Sequence, residues 1–334
     1  MKYYSNKLMM LVCATAFSVT ACSSSNSFSD PVDFDTPSEA PNPVPAQGTA
    51  KTFITTADGV YSLAQGEVKL YNGVSMAPTT IELDLNKKYQ TIDGFGYAIT
   101  YSSCYNLMQM TPEARQALLK RIYSTTEGYG VSYARISLGC NDFSSTEYTY
   151  CDTKGSESDP ISNFALYSDE NDYVIPVLKE ILAINPNLKI IAAPWTCPKW
   201  MKVTDINTKN PKDSWTDGHL NPDYREVYAK YFVKFINVMK EKGINIYAVS
   251  PQNEPLNKAN CASLYMPWQE EAPFVKELAA QFKKNNLQTK IYVFDHNYNY
   301  DKIADQEDYP VKLYNAIGDN FEGSKLMKLV LKQL

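Results

Sequence analysis

The sequence predicts an α/β protein of the (β/α)8 TIM-barrel type, present in part: about five of eight strands, with a small β element ahead of them. Three observations predict this. Apolar strand-length segments alternate with amphipathic helical segments from residue 90 onward, the pattern of parallel strands joined by helical crossovers. Long inserts, 141–168 and 198–220, follow strand candidates as elaborated loops do on the top face of a barrel. No glycine-rich turn follows the first strand, which counts against a dinucleotide-binding sheet.

The chain begins with a segment that is not fold. Lys2 and Lys7 precede a short apolar stretch, 8–19, too short to span a bilayer as a helix. Val19-Thr20-Ala21-Cys22 follows, then Ser23-Ser24-Ser25. The arrangement resembles a bacterial lipobox, with a plain secretory peptide as the alternative. Residues 1–21 are thus expected to be a lipoprotein signal peptide and Cys22 the lipidated residue. That would place the protein in a bacterial cell envelope, with the membrane as partner through a lipid anchor. Residues 22–48, rich in Ser, Pro, Asp and Asn, read as a flexible tether.

Residues 49–88 hold short β-type pieces, 52–55 and 80–83, expected to form the N-terminal β element. The partial barrel is expected over 89–334. Its strand candidates are 91–99, 131–138, 189–195, 245–249 and 290–294. Thr111-Pro112-Glu113 is an N-cap with proline at the first helical position, leading into 114–123. A helix over 173–184 stops at Asn185-Pro186. Asn221-Pro222 opens another over 224–242 that ends at Gly243, and 270–285 is the next.

Composition narrows the function. The 334 residues are 44% hydrophobic and 21% charged, a globular balance. A formal net charge of -5, without a basic run or phosphate loop, argues against nucleic acid as a partner. Of the seven cysteines, Cys104, Cys140, Cys151, Cys197 and Cys261 would remain beyond Cys22. Their number and spacing give neither a disulfide framework nor a metal site, so buried or half-buried thiols are expected. No metal or organic cofactor is implied. The 25 tyrosines are compatible with sugar stacking, and equally with core filling.

The organising stretch is Ala248-Val249-Ser250-Pro251-Gln252-Asn253-Glu254-Pro255. An apolar strand stops at a proline and delivers an amide and a carboxylate together. Barrels present a catalytic acid at such a strand end, although a strand-to-loop junction with a solvated glutamate looks the same locally. The other strand ends read Asp93-Gly94-Phe95-Gly96, Asn141-Asp142-Phe143, Pro194-Trp195-Thr196 and Asp295-His296-Asn297. Carboxylates and amides that take hydroxyl pairs, beside an indole that covers a C–H face, are the chemistry of a sugar site.

These residues resemble glycoside hydrolase family 30, the retaining β/α barrels that include glucosylceramidases and endo-β-1,6-glucanases. The resemblance rests on Ile92 to Gly96, Arg135, Asn141-Asp142-Phe143-Ser144 and Tyr148-Thr149-Tyr150. It continues through Ala193-Pro194-Trp195-Thr196-Cys197-Pro198-Lys199-Trp200-Met201-Lys202, Gln252-Asn253-Glu254-Pro255 and Asp295-His296-Asn297. It covers about 48–321. It implies an O-glycosyl hydrolase acting on a β-glucan or glucoside, with Glu254 as general acid/base. It implies Asn253 on the sugar 2-hydroxyl, and Asp142 and Trp195 around the sugar beside the cleaved bond. It places Arg135 on the acid/base or nucleophile carboxylates, and Tyr265 and His296 at the same rim.

The same resemblance puts the nucleophilic glutamate at the end of a seventh strand, and only five strands are legible. After Ser324 the character changes to a short basic amphipathic piece, 325–334. The expectation is a C-terminally truncated member, through a frameshift near Ser324, with little or no hydrolase activity. A non-catalytic surface glycan-binding lipoprotein and a non-functional fragment are the alternatives.

Overall fold

The computed structural model describes residues 46–72, 79, 81, 83–297 and 302–318. Cys22, the signal segment, nearly all of the tether and everything after Gly318, including the change of character at Ser324, lie outside these residues. The chain divides into two compact units, Met1–Lys87 and Lys88–Leu334.

The described part of the first unit is a hairpin. β1 (Gly48–Ile54) pairs antiparallel with β2 (Ala64–Leu70), Gly48 opposite Leu70 and Ile54 opposite Ala64. The expected piece at 52–55 therefore overlaps β1. The expected piece at 80–83 is not its partner: Ile81 and Leu83 lie outside any strand, and Thr80 and Glu82 lie outside the described residues. β2 has the period-two alternation of a strand but little β-branched content, which is why the sequence reads there as turn.

The second unit is built on β3 (Gly96–Ala98), β4 (Tyr133–Ser137), β5 (Lys189–Ala193), β8 (Ile246–Val249) and β9 (Lys290–Ile291). These five pair parallel in the order β3-β4-β5-β8-β9, each neighbour in sequence order the neighbour in space. Between β5 and β8 the insert adds a small antiparallel pair, β6 (Lys202–Val203) with β7 (His219–Leu220). The sheet is open among the described residues, with β3 and β9 at its edges.

β3 is shorter than the apolar run that predicts it. Gly94 sits at φ +150°, and a Cβ on Gly96 would meet the Tyr133 carbonyl oxygen at 2.0 Å. Backbone this close to β4 admits only glycine, so the strand starts there rather than at residue 91. Ile92 and Phe95 on its flank are 67% and 73% exposed.

The helices follow their boundary signals. α2 (Pro112–Tyr123) is capped by Thr111, whose hydroxyl accepts from the Ala114 N–H. α3 (Ile175–Ile184) continues a π-helical turn, Asp169–Val174, and ends at Asn185. Asn221 caps a short 3-10 turn, Pro222–Tyr224, that runs into α4 (Arg225–Glu241). α5 (Trp268–Lys284) and α6 (Tyr309–Ile317) complete the set. α1 (Tyr101–Gln109) was not legible: Tyr, Ser, Cys and Asn are weak helix formers, and the helix rests on its Thr100 cap and on burying Cys104.

The core lies where α4 and α5 meet the sheet. α4 buries Tyr228, Tyr231, Phe232, Phe235 and Met239, and α5 buries Phe274, Val275, Leu278 and Phe282. Tyr228 and Phe274 stack with centroids 5.1 Å apart. Two carboxyls are sealed in with the apolar groups. Glu271 on α5 accepts from the Tyr309 hydroxyl at 2.5 Å, and Glu170 accepts from Tyr148 at 2.6 Å. Burial pushes each up to about 7 from an ordinary 4.5.

Two outcomes follow from this packing. Phe274→Ala removes a stacked core ring and should lower unfolding free energy by about 3–5 kcal/mol, read by urea denaturation. Raised carboxyls bind more protons folded than unfolded between about 4.5 and 7. Stability should therefore fall as pH rises through that window, and Glu271→Gln should flatten the slope by one group's share.

Candidate active site

The residues after the C-terminal ends of β5, β8 and β9 are stitched together by backbone. The Asn253 N–H donates to the Pro194 carbonyl at 2.8 Å, and the Glu254 N–H donates to the Asp295 carbonyl at 2.9 Å. Asn253 and Asp295 form an isolated parallel bridge that prolongs the β8–β9 pairing past the strands. Gln252, fully buried, donates through Nε2 to the Trp195 carbonyl at 2.7 Å. Pro251 and Pro255 end regular pairing, so side chains rather than ladder bonds face this end of the sheet.

Glu254 sits at φ +44°, in the left-handed region that non-glycine residues rarely adopt. Its own N–H bond to Asp295 and the Asn257 N–H bond to its carbonyl, both 2.9 Å, hold it there. Strain of this kind is maintained where surrounding structure over-determines a side chain's direction. The carboxylate is half-buried, and its Oε2 accepts from the Asn257 and Asn260 amides, each at 2.7 Å.

Arg135, at the middle of β4, spans the rim. Its Nη2 donates to Asn253 Oδ1 at 2.8 Å and to Asp295 Oδ2 at 2.6 Å, and its guanidinium lies 4.9 Å over the Trp195 ring. The resemblance puts Arg135 on the acid/base or nucleophile carboxylates; the carboxylate it bonds here is Asp295. Asp295 is one strand further along the rim, and its position lets one guanidinium reach both the amide and the acid.

Trp195 is buried, and its indole N–H has no hydrogen-bond partner among the described residues. A buried donor without an acceptor is suited to a ligand hydroxyl. His296 follows Asp295 on the rim. Its Nδ1 accepts from the Asn297 N–H at 2.8 Å, so the ring proton sits on Nε2. Burial lowers its pKa, opposed by the nearby Glu254 and Asp295 charges. Asp142 is exposed, on the loop where the Phe143 N–H donates to Asn141 Oδ1.

Not every expected residue joins this group. Asp93 lies at the opposite end of the sheet. It bonds Tyr133 and Lys189, the first residues of β4 and β5, and its carboxyl is held below the ordinary range, chiefly by Lys189. It precedes its short strand rather than following one, and so reaches the strand starts. Tyr265 is half-buried against His219, with the Lys258 ammonium 4.1 Å over its ring. Its backbone N–H donates to the Gly218 carbonyl at 2.8 Å, so Tyr265 joins the loop after β8 to the β6–β7 insert. Cys104, Cys140, Cys151 and Cys197 are buried as expected, but Cys261 is exposed, its Sγ 3.0 Å from Glu147 Oε1.

Sequence reasoning missed Asn257 and Asn260. Their signal was present in the Asn-rich stretch just past Glu254. It also missed Lys202, which is buried and donates to the carbonyls of Ser214, Trp215 and Ser263 at 2.9, 3.3 and 2.8 Å. Burial lowers its pKa to about 8. The described residues contain no group of three metal-ligating side chains.

The arrangement offers one carboxylate whose Oε1 has no hydrogen bond among the described residues, an amide beside it, an arginine-clamped acid and an indole. Comparison with known proteins agrees with that chemistry. The model of the glycosyl hydrolase family 30 TIM-barrel domain matches residues 92–302. The endo-1,6-beta-D-glucanase BGN16.3 of Trichoderma harzianum is 31% identical over 85% of this chain and 58% of its own length. The lysosomal acid glucosylceramidase of Mus musculus is 30% identical over 72% of this chain and 44% of its own. The solved endo-beta1,6-glucanase BT3312 superposes with a TM-score of 0.71 at 54% identity, over 82% of this chain and 57% of that one. The chain thus spans about half the length of these relatives.

Arg135→Leu tests the clamp. Both Arg135 and Asp295 are partly exposed, at 28% and 32% of their side chains, so stability should fall by only about 1 kcal/mol in urea. A loss several times larger would mean that the clamp carries the fold as well as the rim.

Proposed function

The chain belongs to glycosyl hydrolase family 30, and from that membership we propose that it carries the general acid/base of a retaining β-glycosidase site for β-1,6-glucan. The observation that carries this reading is Glu254, strained at the end of β8 with its carboxylate aimed by two amides and Asn253 beside it. In this role Glu254 protonates the glycosidic oxygen as the bond breaks, then takes a proton from the incoming water. Asn253, already oriented by Arg135, meets the sugar 2-hydroxyl. The Trp195 indole N–H and the exposed Asp142 meet neighbouring hydroxyls.

The β-1,6 linkage is favoured by the endo-1,6-glucanases among the relatives, BGN16.3 and BT3312 included. Glucosylceramide is the competing substrate, after the mouse relative. An envelope location through lipidation at Cys22 also favours polysaccharide, and the Val19-Thr20-Ala21-Cys22 motif supports it.

Retention needs a second carboxyl about 5–5.5 Å from the first. The rim carboxylate Asp295 is occupied by Arg135. That occupation favours, as a second reading, glycan binding without turnover by this chain.

Calorimetry with β-1,6-linked gluco-oligosaccharides should show binding that Trp195→Ala weakens roughly ten-fold, the worth of one well-placed contact. Glu254→Gln should leave the binding in place. Turnover of an aryl β-glucoside by the 334-residue chain should stay near background. Turnover abolished by Glu254→Gln would instead locate a working nucleophile within it. Absence of both binding and turnover would refute the glycan reading.

A further inference from the structure

We infer that Asn257 and Asn260 are positioning residues for the Glu254 carboxylate, holding Oε2 as a fixed acceptor and leaving Oε1 as the oxygen that exchanges the proton. The inference rests on the acid/base reading of Glu254 and adds the device that aims it. Both amides reach the same oxygen, Asn257 Nδ2 and Asn260 Nδ2 each at 2.7 Å. Hydrogen bonds this short to a carboxylate are charge-assisted, about twice as strong as neutral ones.

The two amides also fix each other. Asn257 Nδ2 donates to Asn260 Oδ1 at 2.9 Å, and Asn257 Oδ1 accepts from the Ala259 N–H at 2.9 Å. Flipping Asn257 would set its oxygen against two acceptors and its nitrogen against a donor. Flipping Asn260 would point its oxygen at the carboxylate. The network therefore admits one arrangement, with the donors facing Glu254.

The loop that carries them is itself anchored. The Asn257 N–H bonds the Glu254 carbonyl at 2.9 Å, and the Met266 N–H bonds the Pro255 carbonyl at 2.8 Å. At the far end the Ser263 N–H donates to the Trp215 carbonyl, and Ser263 Oγ accepts from the Asp217 N–H and donates to the Lys258 carbonyl. The Lys202 ammonium closes this end by taking the Ser263 carbonyl together with those of Ser214 and Trp215. A buried cation with three carbonyl acceptors pins the loop against the β6–β7 insert, and the pinned loop delivers the amides.

The test is carbodiimide coupling of glycine ethyl ester to the whole chain, with the rate at Glu254 read by peptide mass mapping. The paired change Asn257→Ala with Asn260→Ala should raise labelling at Glu254 roughly ten-fold, the worth of about one charge-assisted bond, while Glu113 on α2 labels unchanged. Asn257→Leu with Asn260→Leu keeps the bulk but removes the donors without adding a carboxyl, and should label as fast as the alanine pair. Leucine variants labelling at the wild-type rate would show that the loop merely covers Glu254, and would overturn the inference. So would alanine variants labelling at the wild-type rate while retaining a cooperative urea transition. Calorimetry with the same oligosaccharides separates the two readings: lost donors with intact binding bear on the aiming device, whereas absent binding in wild type bears on the glycan reading alone.

Discussion

The site depends on the reach of one guanidinium. Arg135 starts on β4, passes over the indole that follows β5, and ends on the amide after β8 and the carboxylate after β9. Three strand ends are thereby set relative to β4 and to one another by one planar cation. Arginine suits the task because its fork can serve two acceptors while its face stacks on an aromatic ring. With Arg135 in place, Asn253 presents a fixed orientation and the Asp295 charge is paired, while Glu254 is held by amides instead of a cation.

Around that clamp the structure separates two ends of the sheet with different chemistry. The strand starts carry Asp93, Tyr133, Lys189 and Tyr247 in a tight polar cluster. The strand finishes carry the acid, the amides and the indole. A parallel sheet makes this possible, because every strand begins at one end and finishes at the other, so residues far apart in sequence gather according to their place along a strand. Behind the sheet, the aromatic layer of α4 and α5 supplies the rigid wall against which the β8 and β9 loops are built.

Much of this was legible in the sequence. The five parallel strands and most helices announce themselves through apolar runs, Thr111 and Asn221 caps and the glycine after α4, since these are local effects of backbone and side-chain chemistry. Asn253 and Glu254 stand out because proline crowds the end of their strand, and Trp195 because it follows Pro194 at the end of another. Asp93 was misplaced since an apolar run over 91–99 does not reveal that steric contact at Gly96 delays the strand and leaves the aspartate at its start. Tyr265 packs against His219, a contact with no local signature. The Asn257–Asn260 pair went unread because asparagine in a loop usually marks a turn, and only the fold shows which way an amide points.

The sequence by itself determined the class of the fold, the order of its strands and the identity of the residues that could carry sugar chemistry. These follow from periodicity, capping and the resemblance to glycoside hydrolase family 30, all of which act over short stretches of chain. Tertiary structure alone decided that Arg135 pairs with Asp295 rather than Glu254, that two asparagines aim the acid, and that a buried lysine pins their loop. Each is an electrostatic match between segments dozens of residues apart. Its partner is chosen by distance and by the cost of leaving a buried charge unpaired, neither of which is written in any one stretch of the chain.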